Sequence, residues 1–113
     1  MPVIPSQLST AAESFRANEA RMKSLVSEMA GKAAAIERGG SDEARTRHTA
    51  RGKLLPRERL AQLLDVGAPF LEIGQFAAFG MYEGDIASAG LIAGIGRVEG
   101  REVMVVVNDA TVK

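Results

Sequence analysis

Val103-Met104-Val105-Val106-Val107 is the stretch that most limits what this chain can fold into. It is an unbroken apolar run dominated by β-branched residues, which favours a strand over a helix. Successive side chains of a strand point to opposite faces, so this strand is apolar on both. Such a strand belongs inside a sheet, with a layer over each face and a neighbour on each edge. Two more strands are readable. Phe70-Leu71-Glu72-Ile73 is short, and Gly90 to Val98 is rich in glycine and leads into a hairpin at Glu99-Gly100-Arg101. The stretch between them, Gln75 to Ala89, reads as loop, with Gly80 and Gly84 as turn points. These elements are too few to cover both faces of the last strand. The chain is therefore expected to be a fragment, or the N-terminal portion, of a larger α/β domain.

Helices precede the strands. Pro2 and Pro5 keep residues 1–9 irregular, a flexible lead-in. Thr10 followed by Glu13 reads as a capping box. Phe15, Met22, Leu25, Val26, Met29, Ala33 and Ile36 then recur at helical spacing, and Arg38-Gly39-Gly40 reads as a stop. The spacing predicts an amphipathic helix from Thr10 to Arg38 that buries its stripe against a core or an interface. Its polar face mixes charges, unlike a membrane-surface helix. Ser41-Asp42-Glu43 opens a second helix to about Ala50, with Gly52 as its cap. Pro56 suits the first position of a third, to Leu64, with Leu60, Leu63 and Leu64 as its apolar face. Asp65 to Pro69 is a turn. The helical region spans residues 10–65, and the first strands of the sheet domain span 66–113.

Charge separates these regions. Lys plus Arg and Asp plus Glu each number 14, so no net field draws the chain to nucleic acid or a membrane. Yet residues 44–59 hold six bases and one acid, whereas residues 60–113 hold three bases and seven acids. On a helix Arg47 and Arg51 share a face and repel. An acidic surface of the protein or of a partner subunit could offset this, or a phosphate-bearing ligand, for which Arg forks are suited. No aromatics interleave the basic residues, which argues against nucleic-acid stacking. There is no Cys and only one His, which excludes disulfides, thiolate nucleophiles and a His-rich metal site. No apolar run reaches membrane-span length and no signal peptide is readable, so a cytoplasmic protein is the default.

Other candidates have plainer explanations. Gly94-x-Gly96 is followed by a hairpin, not a helix, so its glycines mark close backbone approach rather than a nucleotide site. Glu99, Glu102 and Asp109 surround the hairpin, and Glu83 with Asp85 sits in a loop; solvated acids explain both sets better than acid/base chemistry. His48 stands among arginines with no nearby acid to orient it. A partly exposed helix residue is the simpler reading. No catalytic residue is assigned.

His48-x-x-Arg51-Gly52-Lys53-Leu54-x-x-Arg57-Glu58-Arg59-Leu60-x-x-Leu63-Leu64-Asp65-x-Gly67, then Phe70-x-Glu72, resembles the N-terminal signature of the carboxyltransferase (β) subunits of biotin-dependent acyl-CoA carboxylases. Gly94-Ile95-Gly96-Arg97-Val98 and Asn108-Asp109-Ala110-Thr111-Val112-Lys113 resemble the same subunits. That ending is most like the methylcrotonyl-CoA type; the propionyl type usually has an aromatic at Ala110, and the geranyl type is a close relative. Val66 and Ala68 depart from the usual Pro and Ser. The resemblance implies an α/β, crotonase-like (ββα) carboxyltransferase domain, incomplete in this chain. It implies an acyl-CoA substrate and no directly bound cofactor, with carboxybiotin supplied by a biotinylated α subunit. It also implies β subunits associated within a hetero-oligomer. The oxyanion-stabilising loops lie further along a full subunit, so the 113 residues alone are expected to be inactive. Thr111, Val112 and Lys113 stand where that family runs beside CoA, and Arg51 and Lys53 are further candidates for its phosphates. A non-catalytic module that docks on an acidic partner is the rival expectation.

Overall fold

The computed structural model describes residues 3–84 and 86–112. Met1 and Pro2 of the lead-in, Asp85 of the loop acids and Lys113 of the CoA candidates lie outside the described residues. The chain divides into two compact units, residues 1–32 and 33–113.

In the first unit residues 3–9 are irregular, and helix α1 (Glu13–Glu37) starts three residues later than Thr10. A turn closed by the Ala12 N–H donating to the Ser9 carbonyl (3.1 Å) precedes it. Glu13 is thus the first helical residue rather than the third, and the expected Thr10–Glu13 box is not how the helix begins. Glu19–Lys23 (2.9 Å) and Glu28–Lys32 ion pairs line its polar side at the i, i+4 spacing that helices favour. The apolar stripe forms, but no residue of α1 is buried. Met22, Leu25, Val26 and Met29 are exposed.

In the second unit the last turns of α1 end at Gly39, whose N–H donates to the Ile36 carbonyl (3.0 Å). Helix α2 (Asp42–Thr49) follows, with the Ser41 hydroxyl accepting from the Ala44 N–H (3.2 Å) as its N-cap. Helix α3 (Pro56–Leu63) has Pro56 in its first position, and the Glu58 carboxylate reaches back to accept the Leu55 N–H (2.8 Å). Its inner face differs from expectation. Pro56 and Leu60 are buried and Leu64 is half-buried, whereas Leu63 is 49% exposed. Positions 56, 60 and 64 follow the i, i+4 row down one side, which leaves Leu63 on the flank.

The strands form one antiparallel sheet, β1 (Leu71–Ile73), β2 (Leu91–Val98) and β3 (Arg101–Asn108), in that order. Ile92, Val105 and Val107 share one face with Leu60 as the buried core, and Leu64, Phe70 and Val103 pack against it. Gly94 and Gly96 lie on this face too. A Cβ at Gly94 would come 2.4 Å from Phe70 Cζ, and one at Gly96 2.4 Å from Leu64 Cδ2. At Gly94 the Leu71 carbonyl oxygen would also lie 2.5 Å from that Cβ, the close backbone approach that the sequence suggested, whereas at Gly96 only side chains press on β2. Phe70 itself turns under the sheet, and β1 begins one residue after it. The opposite face is open: Met104 and Val106 are 61% and 62% exposed, and Leu71, Ile73, Leu91 and Ile95 join them. The two-sided cover that β3's composition calls for is therefore present on one side within this chain.

The β2–β3 turn has left-handed Glu99 (φ 49°) and Gly100 (φ 76°), the pattern of a two-residue type I′ hairpin. Arg101 already belongs to β3. Both oxygens of the Asp65 carboxylate hold this turn, accepting the N–H groups of Glu99 (2.6 Å) and Gly100 (2.8 Å). Residues 75–90 are irregular as expected, with two short 3₁₀ segments, Tyr82–Gly84 and Ala87–Gly90.

Candidate functional site

The basic segment separates into two kinds of cation. Period-two alternation puts Glu72 of β1 on the inner face, paired with Gly94, while Leu71 and Ile73 point out. A carboxylate there needs a partner, since burying an unpaired charge is costly. Arg57, in the first turn of α3, supplies it with a two-pronged pair: Nη1 to Glu72 Oε2 and Nη2 to Oε1, both 2.8 Å. Arg57 Nε donates to the Glu37 carbonyl (3.2 Å), so one guanidinium joins the ends of α1, α3 and β1. Its pKa is raised above the ordinary arginine value, chiefly by the hydrogen bonds to Glu72 and against the opposing effect of burial. Arg59, exposed, reaches the end of β3, donating to the Asn108 carbonyl (3.5 Å). Arg45 lies 3.7 Å from Asp42.

Arg47, Arg51 and Lys53 are exposed. Among the described residues no side-chain hydrogen bond or ion pair holds Arg51 or Lys53. His48 is half-buried, and its Nε2 stands 3.0 Å from the Leu54 carbonyl. With the proton on that nitrogen it donates there, folding the Arg51-Gly52-Lys53 link back on α2. The simpler expectation for His48, a partly exposed helix residue, fits this geometry.

The other candidates gather where β3 ends. Thr111 is 5% exposed. Its N–H and hydroxyl both donate to Asp109 Oδ1 (2.9 and 2.6 Å), and its hydroxyl accepts the Gly40 N–H (3.0 Å). A Cβ at Gly40 would sit 1.7 Å from the Thr111 carbonyl oxygen, so only glycine fits against that loop. Val112 is half-buried. Thr111 thus packs at the start of α2, whereas Arg51 and Lys53 follow its far end, about 12 Å of helix away. Thr111 and Asp109 come together; Arg51 and Lys53 do not join them. Glu99 and Glu102 are exposed at the hairpin, as solvated acids should be, but Asp109, expected to be solvated with them, is half-buried and bonded to Thr111.

Sequence reasoning passed over Arg57–Glu72, Asp65 and Gly40. Glu72 carried a signal, being the one acid in a short apolar strand at an inward position. Asp65 and Gly40 carried none, because their partners are 34 and 71 residues away in the chain.

Residues 47–113 match the family model described as carboxyl transferase domain. The chain belongs to that family. Among carboxyl transferase relatives, it is 57% identical over 89 residues to the biotin-dependent 3-methylcrotonyl-coenzyme A carboxylase beta1 subunit of Mycobacterium tuberculosis, covering 79% of this chain and 17% of that one. Its fold superposes on the beta subunit of geranyl-CoA carboxylase from P. aeruginosa with a TM-score of 0.61 at 38% identity, over 96% of this chain and 20% of that one. It also superposes on transcarboxylase 12S, solved as a hexamer assembly with hydrolysed methylmalonyl-coenzyme A bound, with a TM-score of 0.72 at 33% identity, over 80% and 19%. The expected fold, helices leading into the start of a crotonase-like carboxyltransferase domain, is borne out over this span. The chain covers a fifth or less of each of these proteins.

Proposed function

We propose that this chain forms the opening part of a carboxyltransferase subunit of a biotin-dependent acyl-CoA carboxylase of the methylcrotonyl-CoA type. The observation that carries this is the match to the carboxyl transferase family over residues 47–113, with 57% identity to a 3-methylcrotonyl-CoA carboxylase subunit. Such a subunit moves a carboxyl group to the γ carbon of 3-methylcrotonyl-CoA. Carboxybiotin, delivered on a biotinylated α subunit, supplies that group. The β subunits would associate with one another within a hetero-oligomer, in the cytoplasm of a bacterium. Nothing in the chain's charge favours nucleic acid, and no helix among the described residues is long and apolar enough to cross a membrane.

In this reading the chain contributes binding rather than chemistry. Arg51 and Lys53 offer charge to CoA phosphates at the end of α2, where no acid of the described residues claims them. Thr111 and Val112, with Lys113 next in sequence, are the further candidates for contact with the acyl-CoA. The geranyl-CoA carboxylase likeness supports a second reading, in which the acyl chain is a longer branched one. The test is a carboxylation assay on the full-length subunit with its biotinylated partner. Arg51→Ala with Lys53→Ala raises KM for the CoA ester and leaves kcat near its starting value. An unchanged KM with failed assembly would show these cations bind a neighbouring subunit instead. Comparing 3-methylcrotonyl-, geranyl- and propionyl-CoA as substrates separates the acyl readings, and activity in the isolated 113 residues would overturn the division of labour.

A further inference from the structure

We propose that one ordered water bridges Arg57 to Asp109 and Ser88, tying the loop after β3 to the α3–β1 ion pair. A cavity of about 10 Å³, room for a single water, is lined by Glu37, Arg57, Ser88 and Asp109 together with apolar side chains including Ile36 and Ile92. Three of the residues that line it have unused hydrogen-bonding capacity. A guanidinium has five N–H groups. Arg57 spends one on the Glu37 carbonyl and two on Glu72, leaving two without a bond among the described residues. Asp109 Oδ1 is taken by Thr111, whereas no bond to Oδ2 is made among the described residues. The Ser88 hydroxyl donates to the Gln75 carbonyl (2.8 Å), which leaves its oxygen free to accept.

The Asp109 charge acts on Arg57, yet the two form no ion pair within 4.0 Å. A cation and a carboxylate that line one small cavity without direct contact can be joined by a water. It accepts from an Arg57 N–H and donates to Asp109 Oδ2 and to Ser88 Oγ, three bonds, the usual number for an interior water.

A crystal structure at a resolution that places waters tests this directly. The expected result is a fully occupied water within about 2.7–3.2 Å of all three groups. An empty cavity, or direct Arg57–Asp109 contact, overturns it. Hydrogen exchange gives an independent reading on the intact chain. Asp109 holds the Thr111 N–H, and Asp65 holds the Gly100 N–H at the other end of the hairpin. In Arg57→Lys, which keeps the charge but not the fork, Thr111 exchange accelerates about tenfold relative to Gly100. Equal acceleration of the two amides, or none at either, refutes the bridge.

Discussion

The cations on either side of Pro56 behave differently although they stand within one run of sequence. The side chains of Arg57 and Arg59, after the proline, bond to the fold; those of Arg51 and Lys53, before it, bond to nothing described. Pro56 sets the division, because it restarts the helix and turns the next residues toward the sheet. Clustered positive charge in a sequence is thus not one feature. Where an inward acid awaits, it is scaffold. Where none does, it remains free to meet a ligand or a partner.

The largest expected effect lies on the scaffold side. Arg57→Ala strands Glu72, whose side chain is 14% exposed, and should destabilise the protein by about 3 kcal/mol in urea unfolding. Arg57→Leu combined with Glu72→Leu removes both charges and should recover most of that loss. A double variant as unstable as Arg57→Ala would mean that the guanidinium's link to the Glu37 carbonyl, not the ion pair, carries the stability.

How much of this was legible depended on distance along the chain. Helix starts at Ser41 and Pro56, the glycine stop after α1 and the hairpin are decided within a few residues, and all were readable, although the turn proved to be two residues rather than three. Gly94 and Gly96 were read as sites of close approach, but not what approaches them, since Leu64 and Phe70 come from another element. The start of α1 was misplaced because a Thr and a Glu at capping spacing precede a turn as easily as a helix. Leu63 was put on the inner face because three leucines fit an apolar stripe, and only the packed α3 shows which row faces the sheet. For the site, the basic motif identified the family, but dividing its cations needed the fold: Glu72 finds Arg57 only once β1 lies beside α3.

His48 belongs by sequence to the free half and by geometry to the bonded one, so it sharpens the boundary. His48→Ala should cost about 1 kcal/mol through the lost bond to the Leu54 carbonyl. His48→Asn, too short to span the link, should cost the same. In contrast Arg51→Ala with Lys53→Ala should change stability by less than about 0.5 kcal/mol, as surface substitutions do. A larger loss would place these cations in the scaffold and erase the contrast with Arg57.

The smallest effect concerns the acid end of the helix whose far end carries the free cations. Glu43 is fully exposed, and its pKa is lowered below the ordinary value of 4.5, first by a hydrogen bond from its own backbone N–H and next by the Ser41 hydroxyl. A folded-state pKa below the unfolded one means that the charged form favours the helix. That contribution is complete above pH 4.5 and is lost as pH falls through the lower folded value. An NMR titration should find the Glu43 midpoint below that of a solvated glutamate, and Ser41→Ala should raise it. If Ser41→Ala leaves the midpoint in place, the backbone alone holds the charge. The opening of α2 would then owe its acid preference to the helix terminus rather than to its cap.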